Sequence, residues 1–222
     1  MGKRLKIVTD LHTSTTRDYL ARMNDDKIEA MIRARKFEFD YWDGERRYGY
    51  GGYKYIPGRW KSVALELINQ YGLDNHSKIL DIGCGKAFLL YELQQILPKA
   101  HLVGIDISSH ALDSAHPDFK GQLLKIDAKE TLPFTDNEFD LAISLAVIHN
   151  FKLPAAKIAV SEMERVAVNG YLMVESYRNE AELFNLVCWA LTAETYFDES
   201  EWNWLMDSCG YSGDYELIYF EG

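Results

Sequence analysis

The chain lacks long apolar runs. Nothing in its 222 residues approaches the ~20 consecutive apolar residues that cross a bilayer, and residues 1–30 lack the apolar stretch of a signal peptide. Membrane-spanning and secreted readings are set aside on that ground, and a cytoplasmic location is expected. Cysteine is sparse: Cys84, Cys188 and Cys209 are odd in number and stand in no CxxC or His-rich spacing, so neither a disulfide framework nor a metal site is expected. Proline is sparse too, and no linker, repeat or low-complexity tract divides the chain. Positive charge is in deficit. The 24 Lys+Arg against 34 Asp+Glu leave a net charge of −10, which argues against a broad nucleic-acid footprint built on clustered cations. Only Arg33–Lys36 and the pair Arg46–Arg47 concentrate basic residues.

What is present is ordinary globular material, 47 % hydrophobic and 26 % charged, enough for one core with an appendage. Residues 1–60 are expected to form an N-terminal helical segment and a Tyr/Gly-rich lid, and residues 61–222 a single globular unit. In the first part, Leu20, Met23, Ile28, Met31 and Ile32 suit one or two amphipathic helices. From residue 61 onward, short β-branched runs alternate with helical stretches. Strands are expected at Lys78–Ile82, Leu102–Ile107, Leu123–Ile126, Leu141–Leu145 and Tyr171–Glu175. Helices are expected from Trp60 to Tyr71, Ala87 to Leu97, Ser108 to Ala115 and Pro154 to Val166. That alternation predicts an α/β fold, a parallel sheet with helices on both faces. Glu180–Leu191 and Glu199–Ser208 read as helices, and Tyr215–Phe220 as a late strand that adds antiparallel at an edge.

Chemistry concentrates where the first strand turns into the next helix, at Asp81-Ile82-Gly83-Cys84-Gly85-Lys86-Ala87. Glycines there let backbone approach a ligand and offer it amides and a helix N-terminus. Asp106 ends the second strand and suits the hydroxyls of a ribose; Asp127 closes the third. All three acids fall at carboxyl ends of strands, where open α/β sheets bind ligands. A nicotinamide fingerprint needs GxGxxG, and Phe88 stands where its last glycine belongs.

In these residues the chain resembles the class I S-adenosylmethionine-dependent methyltransferases, with their Rossmann-like sheet. Ile79-Leu80-Asp81-Ile82-Gly83-Cys84-Gly85 matches the first motif of that family, Asp106 its ribose-binding acid and Asp127-Ala128 the pair beside the adenine. Leu132-Pro133-Phe134 with Phe139-Asp140-Leu141, and Glu162 to Val174, resemble its later passages. Ala87 departs from the family's third glycine. The resemblance covers residues 62–176. It implies S-adenosylmethionine as cofactor and S-adenosylhomocysteine as product, held by Asp81, Gly83, Cys84, Gly85, Asp106, Ile107, Asp127, Ala128 and Leu145. Asp81 would meet the methionine amino group. Taken singly, Asp81 and Asp127 could equally cap the helices that follow them.

Acceptor residues are read from the loops around that cleft. His149 suits a general base, or a histidine packed and satisfied by backbone. Tyr53 is a second catalytic candidate, and Tyr50, Arg59, Glu175 and Tyr177 join His149 as substrate contacts. The segment Trp42–Trp60, with its run Tyr48-Gly49-Tyr50-Gly51-Gly52-Tyr53-Lys54-Tyr55, reads as a flexible lid over the cleft, or else as a structural plug. Arg46, Arg47 and Arg59 suit a carboxylate or phosphate, or solvent. Trp189, Thr192, Glu194 and Tyr196 are expected to wall the acceptor pocket, and Trp202 and Trp204 to pack. The function expected is methyl transfer to oxygen or nitrogen of a small polar metabolite, with a sugar or nucleotide-sugar suggested by the aromatic run. Nucleic acid and membrane are not expected partners, and the oligomeric state is left open. A tRNA or protein methyltransferase and a cofactor-binding module without turnover are the competing readings.

Overall fold

The computed structural model describes residues 2–221. The N-terminal part carries four short helices, α1 (Thr9–Thr13), α2 (Tyr19–Asn24), α3 (Lys27–Ala34) and α4 (Phe39–Trp42). The remainder follows as α5 (Lys61–Tyr71), β1 (Lys78–Ile82), α6 (Phe88–Ile96), β2 (His101–Asp106), α7 (Ser109–Asp113), β3 (Gln122–Lys125), β4 (Phe139–Leu145), α8 (Leu153–Val166), β5 (Ala167–Glu175), α9 (Glu180–Trp189), α10 (Glu199–Ser208) and β6 (Asp214–Ile218). The six strands form one sheet in the order β3-β2-β1-β4-β5-β6, and every pairing is parallel.

Alternation along the strands fills two layers. Leu80 and Ile82 of β1 face a layer with Val160 and Met163 of α8 and Trp202 and Leu205 of α10. Ile79 turns to the opposite layer, against Leu67 of α5 and Leu93 of α6. Each such fully buried aliphatic side chain contributes about 1.5–3 kcal/mol over its exposed state. α5 stops at Gly72, which adopts a left-handed φ of 61° and donates its N–H to the Ile68 carbonyl. Ser108 caps α7 by accepting the Ala111 N–H.

Three expectations are corrected. The last strand runs parallel to β5, with Leu172 beside Tyr215 and Val174 beside Leu217. A hairpin would reverse it, but α9 and α10 together act as a crossover that returns the chain to the starting end of the sheet. Of the apolar residues expected to bury an N-terminal helix face, Met31 packs half-buried against the α3 cluster, but Leu20 is 58 % exposed, Ile28 74 % and Ile32 56 %. α3 packs through its small residues Ala30 and Ala34, against Tyr48 and Leu191. Trp204 is exposed as well, whereas Trp202 is fully buried.

The N-terminal strand of chain lies along the outer edge of β6. Leu5 donates its N–H to the Tyr215 carbonyl (2.8 Å), and Tyr215 donates to the Lys3 carbonyl (3.0 Å). Buried Glu216 then receives the amides of Ile7 (2.6 Å), Val8 (3.0 Å) and Thr9 (2.6 Å) and the Tyr171 hydroxyl. An edge that would otherwise offer unpaired backbone is thereby covered.

Candidate functional site

Strand order reverses between β1 and β4, and there the two connections leaving the sheet diverge and open a cleft. Gly83 lies at the reversal with φ +78°, and a Cβ on it would meet Val147 Cγ2 at 2.2 Å. Its lack of a side chain is therefore demanded twice, by conformation and by room. Ala146, just after β4, also takes a left-handed φ of 58°, which costs a residue with a Cβ about 1–2 kcal/mol. Over the cleft lies a cavity of about 570 Å³. Pockets for cofactors and small ligands span about 300–1,000 Å³.

The cofactor residues read from the sequence converge on this cavity. Asp81, Gly83, Cys84, Gly85, Asp106, Ile107, Asp127, Ala128 and Leu145 all line it. Their roles differ from the simplest reading in one respect: the loop amides are turned inward. Gly83 and Cys84 donate to the Ile105 carbonyl (2.8 and 3.0 Å), and Gly85 donates to Asp106 Oδ2 (2.8 Å). The loop thus offers a ligand bare glycine backbone rather than free N–H groups. Asp106 also accepts the Ser108 N–H on Oδ1 (2.8 Å), which leaves one lone pair on each oxygen for hydroxyls. Burial pushes its carboxyl up, and the surrounding backbone amides oppose that.

Asp81 stands differently. It is buried, and among the described residues no side chain or amide donates to it. Burial, and then the charge of Asp106, push its carboxyl up to about 7. A carboxylate held this way fits a cationic ligand group. Asp127 accepts the Lys129 N–H (3.0 Å) and lies 3.8 Å from the Lys129 ammonium, so it both closes its own turn and borders the cavity. The Cys84 sulfur points back at Gly104, where a Cβ would approach it to 2.7 Å, and burial pushes its thiol well up. Its contribution to the cavity is backbone.

Of the acceptor-side residues, Tyr50, Tyr53, Arg59, His149 and Glu175 line the cavity. Tyr177 does not. It packs against the cluster of Leu186, Ala190 and Phe220 and bridges to Asp198, so it is set aside as a substrate contact. His149 is buried in a 3₁₀ turn, and its Nδ1 accepts the Glu175 N–H (3.2 Å). Its Nε2 therefore carries the proton and faces Glu175 Oε2 at 3.4 Å. Burial lowers its pKa, and the Glu175 charge opposes that. With Nδ1 occupied, His149 orients Glu175 and has no free lone pair for a base. Tyr53 stacks on Phe88 (5.2 Å) and accepts from Trp60 Nε1 (3.3 Å). Burial raises its hydroxyl far above the ordinary value, which suits a hydrogen-bond donor.

The aromatic run is a folded wall. Trp42 covers Gly85, where a Cβ would meet its Cη2 at 2.6 Å, and Tyr50 stacks flat on Trp42 at 5.4 Å. Tyr55 and the Gly58 amide both donate to Glu92 (2.8 and 2.9 Å). Sequence reasoning missed the clamp beneath this wall. Lys86, inside the glycine motif and 5 % exposed, donates to both oxygens of Asp43 (2.7 and 2.6 Å) and to the Tyr53 carbonyl (2.8 Å). His110 Nε2 adds a contact to Asp43 at 2.7 Å, and Glu38 accepts the His110 N–H at 2.9 Å. Burial would raise the Asp43 carboxyl, but the hydrogen bonds from Lys86 and His110 outweigh it and hold the group below its ordinary value. Only the position of a lysine directly after the motif hinted at this clamp.

A family model described as a methyltransferase domain matches residues 73–211. The chain belongs to that family. The methyl donor of class I methyltransferases is S-adenosylmethionine, and the fit above agrees with it: a buried anion for a cation, paired carboxylate lone pairs for hydroxyls, and bare glycine for close approach. Among curated relatives, the methyltransferase domain is similar to malonyl-[acyl-carrier protein] O-methyltransferase of Legionella pneumophila, 37 % identical over 43 % of this chain and 34 % of that one. It is also similar to tRNA (carboxymethyluridine(34)-5-O)-methyltransferase of Arabidopsis thaliana, 31 % identical over 64 % of this chain and 33 % of that one. The matches thus span about a third of those relatives' length. In fold it is similar to a Bacillus halodurans structure described as a methyltransferase (TM-score 0.55, 20 % identity, 66 % of this chain and 68 % of that one). A second fold match is the methyltransferase of a complex with the Haloferax volcanii Trm112 activator (TM-score 0.53, 16 % identity, 66 % of each chain). No helix among the described residues is long and apolar enough to cross a membrane.

Proposed function

We propose that the chain transfers the methyl group of S-adenosylmethionine to an oxygen or nitrogen of a small polar metabolite. The observation that carries this reading is the walled cavity itself. Its β1–β3 side presents Asp81, Asp106 and Asp127, and its β4–β5 side presents Glu175, Thr192 and aromatic rings, beneath a cover pinned by Lys86 and Asp43. When bound, the cofactor supplies an activated methyl on a good leaving group, so the protein's part is alignment and exclusion of water. Asp106 and Asp81 would fix one partner. Glu175, oriented by His149 and by Trp202, whose Nε1 donates to the Glu175 carbonyl at 3.0 Å, borders the other. Glu175 is the group best placed to receive an acceptor's proton. The names of the two relatives above, both O-methyltransferases, support oxygen as the attacked atom.

An RNA acceptor is the second reading, favoured by the tRNA-modifying relative. Against it stands the pairing of the basic stripe. Arg33 is paired with Glu29 and Asp40, Arg35 with Glu194 and Arg47 with Asp25, so three of the basic residues at 33–36 and 46–47 already have carboxylate partners. Transfer of labelled methyl from S-adenosylmethionine, tested in parallel on a panel of polar metabolites and on total tRNA, decides between the two. Incorporation into a metabolite and none into tRNA is expected; incorporation into tRNA alone would reverse the assignment.

A further inference from the structure

Three guanidinium groups unused by the reading above converge on one indole. Arg17, just ahead of α2, Arg22 within it and Arg46 in the aromatic wall hold their guanidinium carbons 5.4, 5.2 and 5.3 Å from the Trp189 ring centre. Arg17 also lies 5.2 Å from the Phe220 ring. All three arginines and both rings line the cavity. An aromatic face attracts each cation but leaves its charge in place, so three of them at one ring repel one another.

The charges of Glu175 and Asp25 reach Arg17 and Arg22, but neither carboxylate pairs with them directly. Arg33, Arg35 and Arg47 each have a carboxylate within 4 Å, whereas among the described residues Arg17, Arg22 and Arg46 have none. Their polar contacts go to neutral groups: both Nη atoms of Arg17 are engaged, and one Nη each of Arg22 and Arg46. Arg17 donates to the carbonyls of His12 (3.2 Å) and Thr15 (3.0 Å) and lies 3.2 Å from His12 Nδ1. Arg22 donates to the Arg46 carbonyl (2.7 Å), and Arg46 to the Gly49 carbonyl. The Nε atoms of Arg17 and Arg22 are buried without a partner. Burial, then the neighbouring charge of Arg46, bring the Arg22 pKa down to about 10. Lys27, close enough to Arg22 to feel its charge, is spent on the carbonyls of Cys188 and Ala190. Facing these cations from β5 is one carboxylate, Glu175, already engaged with His149. Arg22 and Arg46, each preoriented through one Nη with the other turned to no protein group among the described residues, and Arg17, which adds a third charge, suit a planar or tetrahedral anion in this cavity.

We propose that Arg17, Arg22 and Arg46, backed by Trp189, form a subsite for an anionic group, a phosphate or a carboxylate, carried by the methyl acceptor. This rests on the methyltransferase reading and narrows its acceptor to an acidic metabolite. Position separates the subsite from the cofactor side. Trp189 ends α9 and Phe220 follows β6, whereas Asp106 and Asp127 belong to β2 and the β3 end across the sheet.

The test uses the full chain saturated with S-adenosylhomocysteine and titrated, at fixed ionic strength, with inorganic phosphate and separately with acetate against chloride. Wild-type protein is expected to bind at least one of the two anions, and which one names the group. The double variant Arg17→Gln/Arg22→Gln and the single variant Arg46→Gln are each expected to weaken that binding tenfold or more. Their affinity for S-adenosylhomocysteine should change less than twofold, which also shows that they fold. Anion binding that is unchanged in both variants, or absent from wild type that binds S-adenosylhomocysteine normally, would overturn the subsite alone. A tenfold loss of S-adenosylhomocysteine affinity in the variants would assign the arginines to the cofactor and overturn it too. Wild type that fails to bind S-adenosylhomocysteine would bring down the methyltransferase reading and the subsite with it.

Discussion

Asp81→Asn tests the electrostatics of the site most sharply. Burial and Asp106 lift the Asp81 carboxyl from 3.8 to about 7. A carboxylate with a raised folded pKa stabilises the native state through its bound proton. That stabilisation is complete below the unfolded value and is lost as pH rises through the folded one. At about 1.4 kcal/mol per unit the shift corresponds to about 4 kcal/mol between pH 4 and 8 in the unliganded protein. The wild-type melting temperature should therefore fall from pH 5 to pH 8, and that of Asp81→Asn should fall less and lie above wild type at pH 8. Binding reverses the balance. A cationic group placed beside Asp81 must expel its proton, so S-adenosylhomocysteine should release about 0.9 proton at pH 6 and about 0.1 at pH 8. Calorimetric titration in buffers of different ionisation enthalpy reads that release. Asp81→Asn should release none at either pH and bind roughly 10- to 100-fold more weakly, the worth of one charge-assisted contact. Equal proton release in wild type and variant would refute the reasoning, as would none from wild type at pH 6.

Two further outcomes follow from the wall and from the buried histidine. Asp43→Ala leaves the Lys86 ammonium with the Tyr53 carbonyl alone. Losing a fully buried partner costs about 3–5 kcal/mol, and Asp43 is partly exposed, so about 2 kcal/mol and a fall of roughly 4–8 °C in Tm are expected. Limited proteolysis within residues 43–60 should quicken in parallel; an unchanged Tm and digestion pattern would remove the clamp from the account. For His149, burial lowers the pKa, so the ring should be neutral with its proton on Nε2 at pH 6.5. Its stability contribution is held above the unfolded value of 6.5 and is lost as pH falls below it. Nitrogen chemical shifts of the imidazole read this directly, and an imidazolium spectrum at pH 6.5 would contradict the neutral Nε2–H assignment.

What was legible in the sequence was local. The β-branched runs, the glycine turn after β1 and acids spaced at strand ends are set by neighbouring residues, and Asp81, Asp106 and Asp127 fall around one cavity as their spacing implies. What was illegible depends on contacts between distant residues. The direction of β6 follows from two helices acting as one crossover, which no feature of Tyr215–Phe220 encodes. Lys86 and Asp43 are 43 residues apart and lie in segments of different character. Leu20, Ile28 and Ile32 have helical spacing, yet α3 buries Ala30 and Ala34 against Tyr48 and Leu191, residues far away in the chain. His149 was visible as a titratable group beside the cleft, but its role depends on a single backbone amide, that of Glu175.

The central claim, that this cavity holds S-adenosylmethionine with Asp106 on its hydroxyls, is tested most directly by calorimetric titration. S-adenosylmethionine, S-adenosylhomocysteine and NAD are titrated into wild type, Asp106→Ala and Asp106→Asn, the last retaining an acceptor for the Gly85 N–H. The account predicts that both sulfur ligands bind wild type and NAD does not, and that both variants weaken the sulfur ligands about tenfold or more. Binding of neither sulfur ligand, or equal affinity across the three proteins, would contradict it.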